Sequence, residues 1–328
     1  MKSSAIVLFV LILLFSLSSC SLDAQDGTIV DRRVVDLQAL PELQSRLYDT
    51  VAGRPVLKTK YRYLDSVTAE RITYLSDGLK VKGYLVYPKT PGRYPGIVYN
   101  RGGNKEFGKI TSFKVAFVMG RVAAMGYVVA GSQYRGNDGG EGHEEFGGKD
   151  VDDVLNMVPL LKGLPEVDSS RLGIFGWSRG GMMTYLTLMR TGIFRAAVVG
   201  GGLSDLFMMM ASRPDMEEVY YDVIPGYAQH KEQSLDERSA IRHVDRICKT
   251  TPVLMLHGTA DWRVVPQMAL DMAEAFQKEK IPYRLVMLEG GDHGLTEHNR
   301  EVYRQIRMWL DRFVKGDAPL PDLTPHGK

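Results

Sequence analysis

The chain has 328 residues, 44% of them hydrophobic and 24% charged, with 41 basic against 39 acidic side chains for a net charge of +2. That balance excludes a strongly basic nucleic-acid binder and a highly acidic disordered chain, and the length suits one large α/β domain or two smaller ones. Repeats and low-complexity tracts, which would indicate a solenoid or a linker, are absent from the sequence.

The N-terminus has its own pattern. Lys2 precedes an apolar run from Ala5 to Phe15, and small polar residues follow. This is the plan of an export signal, and the run is shorter than the roughly 20 residues a membrane span needs. Leu17-Ser18-Ser19-Cys20 resembles the lipobox of bacterial lipoproteins, in which cleavage leaves a lipid-bearing cysteine. Residues 1–20 are therefore expected to be a signal peptide of lipoprotein type, with Cys20 as the lipid attachment site and membrane anchor. The alternative is an ordinary signal cut near Ala24. The expected location is the bacterial cell envelope, periplasmic or outer-membrane associated, or else secreted. Cys248 is the only other cysteine, so a mature chain has no internal disulfide, and a buried structural role is expected for it.

Residues 21–60 are polar and irregular, which predicts a tether or N-terminal extension with a short helix around 38–49. A catalytic domain is expected over 61–316. Its first elements are ERITYLS and LKVKGYLVYP, joined by Asp77-Gly78, the signature of a β-hairpin. PGIVYN (95–100) and GYVVAGSQ (126–133) read as strands on either side of a helix near 112–125. Val151, Val154, Leu155, Val158 and Leu161 have helical spacing. RLGIFGW (171–177), FRAAVVGG (194–201), TPVLMLHG (251–258) and YRLVMLEG (283–290) read as further strands with helices between them. Residues 203–248 break the rhythm and are expected to form a helical insertion before the strand that carries the acid. A last helix places Val302, Ile306, Trp309, Leu310 and Phe313 on one face, and 317–328 is a loose tail. Alternating strands and helices predict a mainly parallel sheet covered on both faces, with functional residues just beyond strand carboxyl ends.

Gly176-Trp177-Ser178-Arg179-Gly180 lies between a predicted strand and a predicted helix. This is the context of a nucleophile elbow, where small flanking residues let a sharp turn raise a serine hydroxyl above the sheet. The backbone amide of Arg179, opening the helix, is placed to donate to an oxyanion. A serine needs a base, and the base an orienting acid, in the chain order Ser, Asp, His for an α/β-hydrolase fold. Two later strand ends supply them: LHGTADWRVVP contains Asp261 and LEGGDHG contains His293. Asp292 reads as a turn former, His257 as a loop-bracing residue and Arg135 as a loop-bracing ion pair. No H-E-x-x-H spacing or clustered ligand set points to a metal, and no cofactor is expected.

GWSRGG, HGTADWRVVP and GGDHG together resemble, in order and spacing, the three catalytic blocks of the prolyl oligopeptidase family of serine peptidases, and YRGNDGGEG…FGGKDVDDV is similar to the block ahead of them. The resemblance covers roughly residues 67–315 and implies Ser178 as nucleophile, Asp261 as acid and His293 as base. It also implies an oxyanion-hole contribution from the loop after PGIVYN, here Asn100-Arg101-Gly102-Gly103. Arg101 stands where the family has an aromatic or imidazole side chain, and the amide near Gly102 is the expected donor. About 45 residues lie between the signal and the sheet, too few for two propeller blades of roughly 40 residues each. The scaffold without a propeller also resembles acetyl-xylan esterases and dienelactone-type hydrolases. A small peptide is the first expectation for the substrate and an ester the second; a catalytically silent binding protein is a third reading. Trp177, Trp262 and Met208 are candidate pocket walls.

Overall fold

The computed structural model describes residues 25–327; Cys20 and the export signal lie outside them. Nine strands form one sheet in the order β1-β4-β5-β7-β6-β8-β9-β10-β11: β1 (Ile29–Val35), β4 (Val67–Ser76), β5 (Leu79–Pro88), β6 (Tyr94–Asn100), β7 (Val128–Ser132), β8 (Val167–Trp177), β9 (Ala196–Gly200), β10 (Val253–Gly258) and β11 (Tyr283–Leu288). A separate hairpin pairs β2 (Tyr48–Val51) with β3 (Arg54–Leu57). The pairs from β1 to β7 are antiparallel, and the six strands from β7 to β11 are parallel. This is the α/β-hydrolase fold expected from the strand–helix rhythm. The predicted Asp77-Gly78 turn links β4 to β5 with φ of 51° and 76°, the positive values a two-residue hairpin of matching twist requires.

Successive side chains of a strand point to opposite faces, and each face needs its own cover. In β10, Val253 and Met255 enter one core while Leu254 and Leu256 enter the other; in β9, Ala197 and Val199 separate from Ala196 and Val198 in the same way. The first core is closed by helices Asp150–Leu155, Met157–Lys162, Arg179–Leu188 and Gln267–Glu279. The second is closed by the helical run over 112–124 and by Asn299–Leu310, whose Val302, Ile306, Trp309 and Leu310 are buried. The chain leaves β6 along one face toward β7 and leaves β7 along the other toward β8. The order therefore reverses between β6 and β8, and in open α/β sheets such a switch point opens a crevice at the strand carboxyl ends.

Three expectations are corrected. The stretch 25–60 is not simply a tether: β1 adds an edge strand to β4, and helix Pro41–Leu47 buries Leu43 and Leu47. β1 carries no readable alternation because its five central residues are exposed. Cys248 is half-buried, not buried, with its Sγ 3.1 Å from the Thr250 hydroxyl, since it lies on a loop before β10. The break at 203–248 is helical as expected, but Met208 packs against the core and lines neither cavity beside Ser178. On helix Leu206–Ser212 consecutive residues are turned by about 100°, and it is Met209 that is buried and lines the site.

Candidate active site

The elbow at the end of β8 is as sharp as its sequence demands. Ser178 has φ 61° and ψ −125°, a conformation that costs a non-glycine residue about 1–3 kcal/mol. A Cβ on Gly176 would lie 1.9 Å from the Gly180 carbonyl oxygen, and one on Gly180 would lie 2.0 Å from that of Asn100, so neither position accepts a side chain. The Ser178 amide donates to the Gly200 carbonyl at 2.8 Å, which ties the elbow to β9.

Asp261 follows β10 and His293 follows β11. The His293 Nδ1 and Asp261 Oδ2 are 2.8 Å apart, which makes the Nδ1–H donor and leaves Nε2 free. The other Asp261 oxygen accepts from the amides of Arg263 and Val264 at 2.9 and 3.0 Å. Burial opposes the charge, but the imidazoles of His257 and His293 and these amides hold the carboxyl well below the usual carboxylate range. It is therefore ionised at any working pH. His257 Nε2 donates to the Val264 carbonyl at 2.8 Å and sits 3.3 Å from Asp261, bracing the loop. Asp292 caps the next turn through the amides of Gly294 and Leu295, and the Trp177 indole donates to the His293 carbonyl at 2.8 Å. Ser178 and His293 make no direct hydrogen bond among the described residues, yet they form part of the same wall between two cavities.

Gly102, in the loop after β6, lies against the serine: the place its Cβ would take is 3.1 Å from Ser178 Cβ and 3.7 Å from Oγ. The amides of Gly102 and Arg179 have no acceptor elsewhere among the described residues. The side chains of Arg101 and Arg179 point elsewhere. The Arg101 guanidinium is fully buried and donates to the Gln133 carbonyl at 3.0 Å and to Glu144 at 3.3 Å. Arg179 pairs with Glu144 and Asp150 and donates to the Gly103 carbonyl at 2.8 Å. Tyr134 lies against both guanidiniums, 5.0 and 5.1 Å from its ring centroid, and its hydroxyl donates to the Arg101 carbonyl at 3.0 Å. Burial alone would raise the Glu144 carboxyl; Arg179 and Arg101 hold it below its ordinary value. Sequence reasoning missed this buried four-charge cluster. Its only trace was the block ahead of the nucleophile, which spans Glu144 and contains Asp150. Arg135 braces the neighbouring loop through Asp153 at 2.8 Å and Asp77 at 2.7 Å.

The two cavities differ in character. The smaller, about 320 Å³, is walled by Phe146, Leu203, Met209, Met216, Val219 and Val264, with Trp262 at its rim. Trp262 is 64% exposed, and its face is taken by Arg213 and Arg263. The larger, about 660 Å³, includes Trp177 and the loop that continues from His293.

With the site assembled, its relatives can be placed. The prolyl oligopeptidase family matches residues 112–317. The chain belongs to that family. It is thus a serine hydrolase of the serine-peptidase kind. It is 35% identical over 241 residues to the uncharacterized peptidase YtmA of Bacillus subtilis, covering 73% of this chain and 91% of that one. Dipeptidyl-peptidase 5 of Porphyromonas gingivalis is 27% identical over 68% of this chain, which spans 34% of that protein. Among solved structures, an acylaminoacyl peptidase of Pyrococcus horikoshii superposes with a TM-score of 0.67 at 21% identity, over 83% of this chain and 47% of that one. A puromycin-hydrolyzing peptidase of Mycobacterium tuberculosis gives 0.64 at 26% identity, over 83% and 44%. The chain spans less than half of these two structures, and no propeller occurs among its described residues.

Proposed function

We propose that this protein hydrolyses short peptides through an acyl-enzyme on Ser178. The observation that carries the reading is the 2.8 Å bond between His293 and a buried, ionised Asp261, beside a serine held in an elbow conformation. Substrate binding closes the Ser178–His293 hydrogen bond, a contact that is commonly loose without substrate. His293 Nε2 then takes the hydroxyl proton as Oγ attacks the scissile carbonyl. Asp261 stabilises the imidazolium, and the amides of Gly102 and Arg179 receive the developing oxyanion. On collapse, His293 passes its proton to the leaving amine; water enters, loses a proton to His293 and releases the acid. The smaller cavity suits an apolar side chain on the acyl side.

Export with Cys20 as a lipid anchor is part of this proposal and rests on the first 20 residues alone. The test of the chemistry is a fluorophosphonate probe together with matched p-nitrophenyl esters and aminoacyl p-nitroanilides. Label at Ser178 and Ser178-dependent anilide turnover are expected. Ester turnover without any anilide turnover would instead favour a carboxylesterase, and an unlabelled Ser178 would leave only a binding role.

A further inference from the structure

The larger cavity has an unbalanced charge. Arg46, Lys60, Lys114, Arg121 and Arg263 line it, and no Asp or Glu among the described residues does. None of the five forms an ion pair among the described residues; Arg263 also borders the smaller cavity, where Arg213 is neutralised by Asp215 at 2.8 Å. Lys114, Arg121 and Arg263 are half-buried, and Arg46 and Lys60 stand exposed. Two of the cations are held in place. The Arg121 guanidinium lies 4.6 Å from the Tyr303 ring centroid and donates to Asn299, while the Lys114 ammonium donates to the Gly108 carbonyl. Burial and the charge of Arg101 pull the Lys114 ammonium down to about 8. Keeping like charges together without carboxylates is unfavourable, and an arriving anion relieves it.

The position of this cavity says which part of a substrate meets the charge. Its wall runs on from His293 through Gly294, Leu295 and Thr296. Ser178 and His293 border both cavities; with the smaller, apolar one taken by the acyl side, the leaving side of the scissile bond occupies this space. The volume, about 660 Å³, is of the size that encloses one small ligand, which limits the leaving part to a few residues. A short peptide fragment of that size carries one anion by default, its own C-terminal carboxylate.

We propose that the larger cavity is an anion subsite that selects substrates with a carboxylate on the leaving side of the scissile bond, at the free C-terminus of a short peptide or on an acidic side chain near it. This rests on the catalytic reading above. Arg46 and Lys60 come from the N-terminal extension, so that segment contributes to specificity as well as to the sheet edge.

The experiment compares three N-acetylated peptides that share an apolar residue before the scissile bond. One continues as Gly-Gly free acid, one as Gly-Gly amide and one as Gly-Asp amide, and the released amine is quantified. In a parallel arm, diglycine and glycylglycinamide compete with p-nitrophenyl acetate. The free acid should be cleaved with kcat/KM about tenfold or more above the amide, mostly through KM, as for a charge-assisted contact. Diglycine should inhibit ester turnover at correspondingly lower concentration than its amide. Both gaps should shrink in about 0.5 M salt, because part of the charge is at an exposed rim. Arg121→Gln, and more weakly the exposed Lys60→Gln, should move the acid-to-amide ratio toward one; taking the ratio within a variant cancels any general loss of folded enzyme. Preference for the Gly-Asp amide over the Gly-Gly amide would support the subsite and assign the side chain as a source of charge.

Acid and amide cleaved or bound within about twofold of each other at low salt would overturn the anion subsite, while Ser178-dependent ester turnover left the catalytic reading intact. Absence of Ser178-dependent turnover on every substrate would overturn both.

Discussion

Replacing Glu144 with glutamine preserves the side chain's shape and removes its charge. In the native protein one Glu144 oxygen receives Arg179, and the other receives Asn137 Nδ2 at 2.8 Å, the Lys105 amide at 3.0 Å and Arg101 at 3.3 Å. Every neighbour is a donor, so the glutamine NH₂ must face a donor whichever way it turns. Two buried guanidiniums would then share the single carboxylate of Asp150. Breaking a buried pair from one side costs about 3–5 kcal/mol, a large part of the 5–15 kcal/mol typical of a folded domain. A Tm lower by roughly 8–12 °C is expected. The two arginines also hold the Gly102 loop: Arg179 donates to Gly103 and the Arg101 side chain donates to Gly102 at 3.3 Å. Losing alignment of one oxyanion donor should lower kcat by about 10². The folded-state carboxyl titrates below its ordinary value of 4.5, so its contribution is present above that pH and disappears as pH falls through the lower folded value. The stability gap between wild type and Glu144→Gln should therefore be full at pH 7 and narrow below about pH 4. Thermal unfolding across pH, with ester turnover normalised to the sites titrated by a fluorophosphonate, reads both effects. A variant within about 2 °C of wild type at pH 7 with unchanged kcat would refute the claim that this cluster supports the site.

Four other outcomes follow from the same structure. Asp261→Asn should fold normally and lose about 10⁴ in kcat, because the imidazole tautomer is no longer fixed; a loss under tenfold in steady-state kinetics would contradict that role. Ser178→Gly and Ser178→Ala should both be inactive, but the glycine variant should be more stable by about 1 kcal/mol in urea titrations, since φ of 61° suits glycine. Lys114→Met should stabilise the protein at pH 7 by on the order of 2 kcal/mol, allowing for partial exposure. The folded Lys114 loses its proton near pH 8 and the unfolded one near 10.5, so native stability rises with pH across that window and the advantage of the methionine fades. A constant advantage from pH 7 to 10.5 would argue against the buried charge. Cys20→Ser should move the protein from the membrane fraction to the soluble fraction, and unchanged fractionation would end the lipid-anchor proposal.

The local parts of the site were legible from residues alone. A glycine-flanked serine between strand and helix encodes its own backbone geometry, because the clashes that forbid a Cβ at Gly176 and Gly180 come from neighbouring turns of the same motif and from the adjacent strand end. Strand periodicity likewise placed Asp261 and His293 just beyond the carboxyl ends of parallel strands, where functional residues were expected. Period and turn chemistry are properties of a few consecutive residues, so sequence by itself determined the fold class and the order of the site loops. Other features were decided only by tertiary structure. Met209 rather than Met208 faces the site because helix rotation has to be set by packing. Glu144 sits between Arg101 and Arg179 because three loops converge, and β1 joins the sheet despite an exposed, unpatterned sequence because β4 offers it a free edge. Charge pairing and cavity walls join residues distant in the chain with no fixed spacing, so the five unpaired cations of the larger cavity acquire a meaning only once the chain has folded around them.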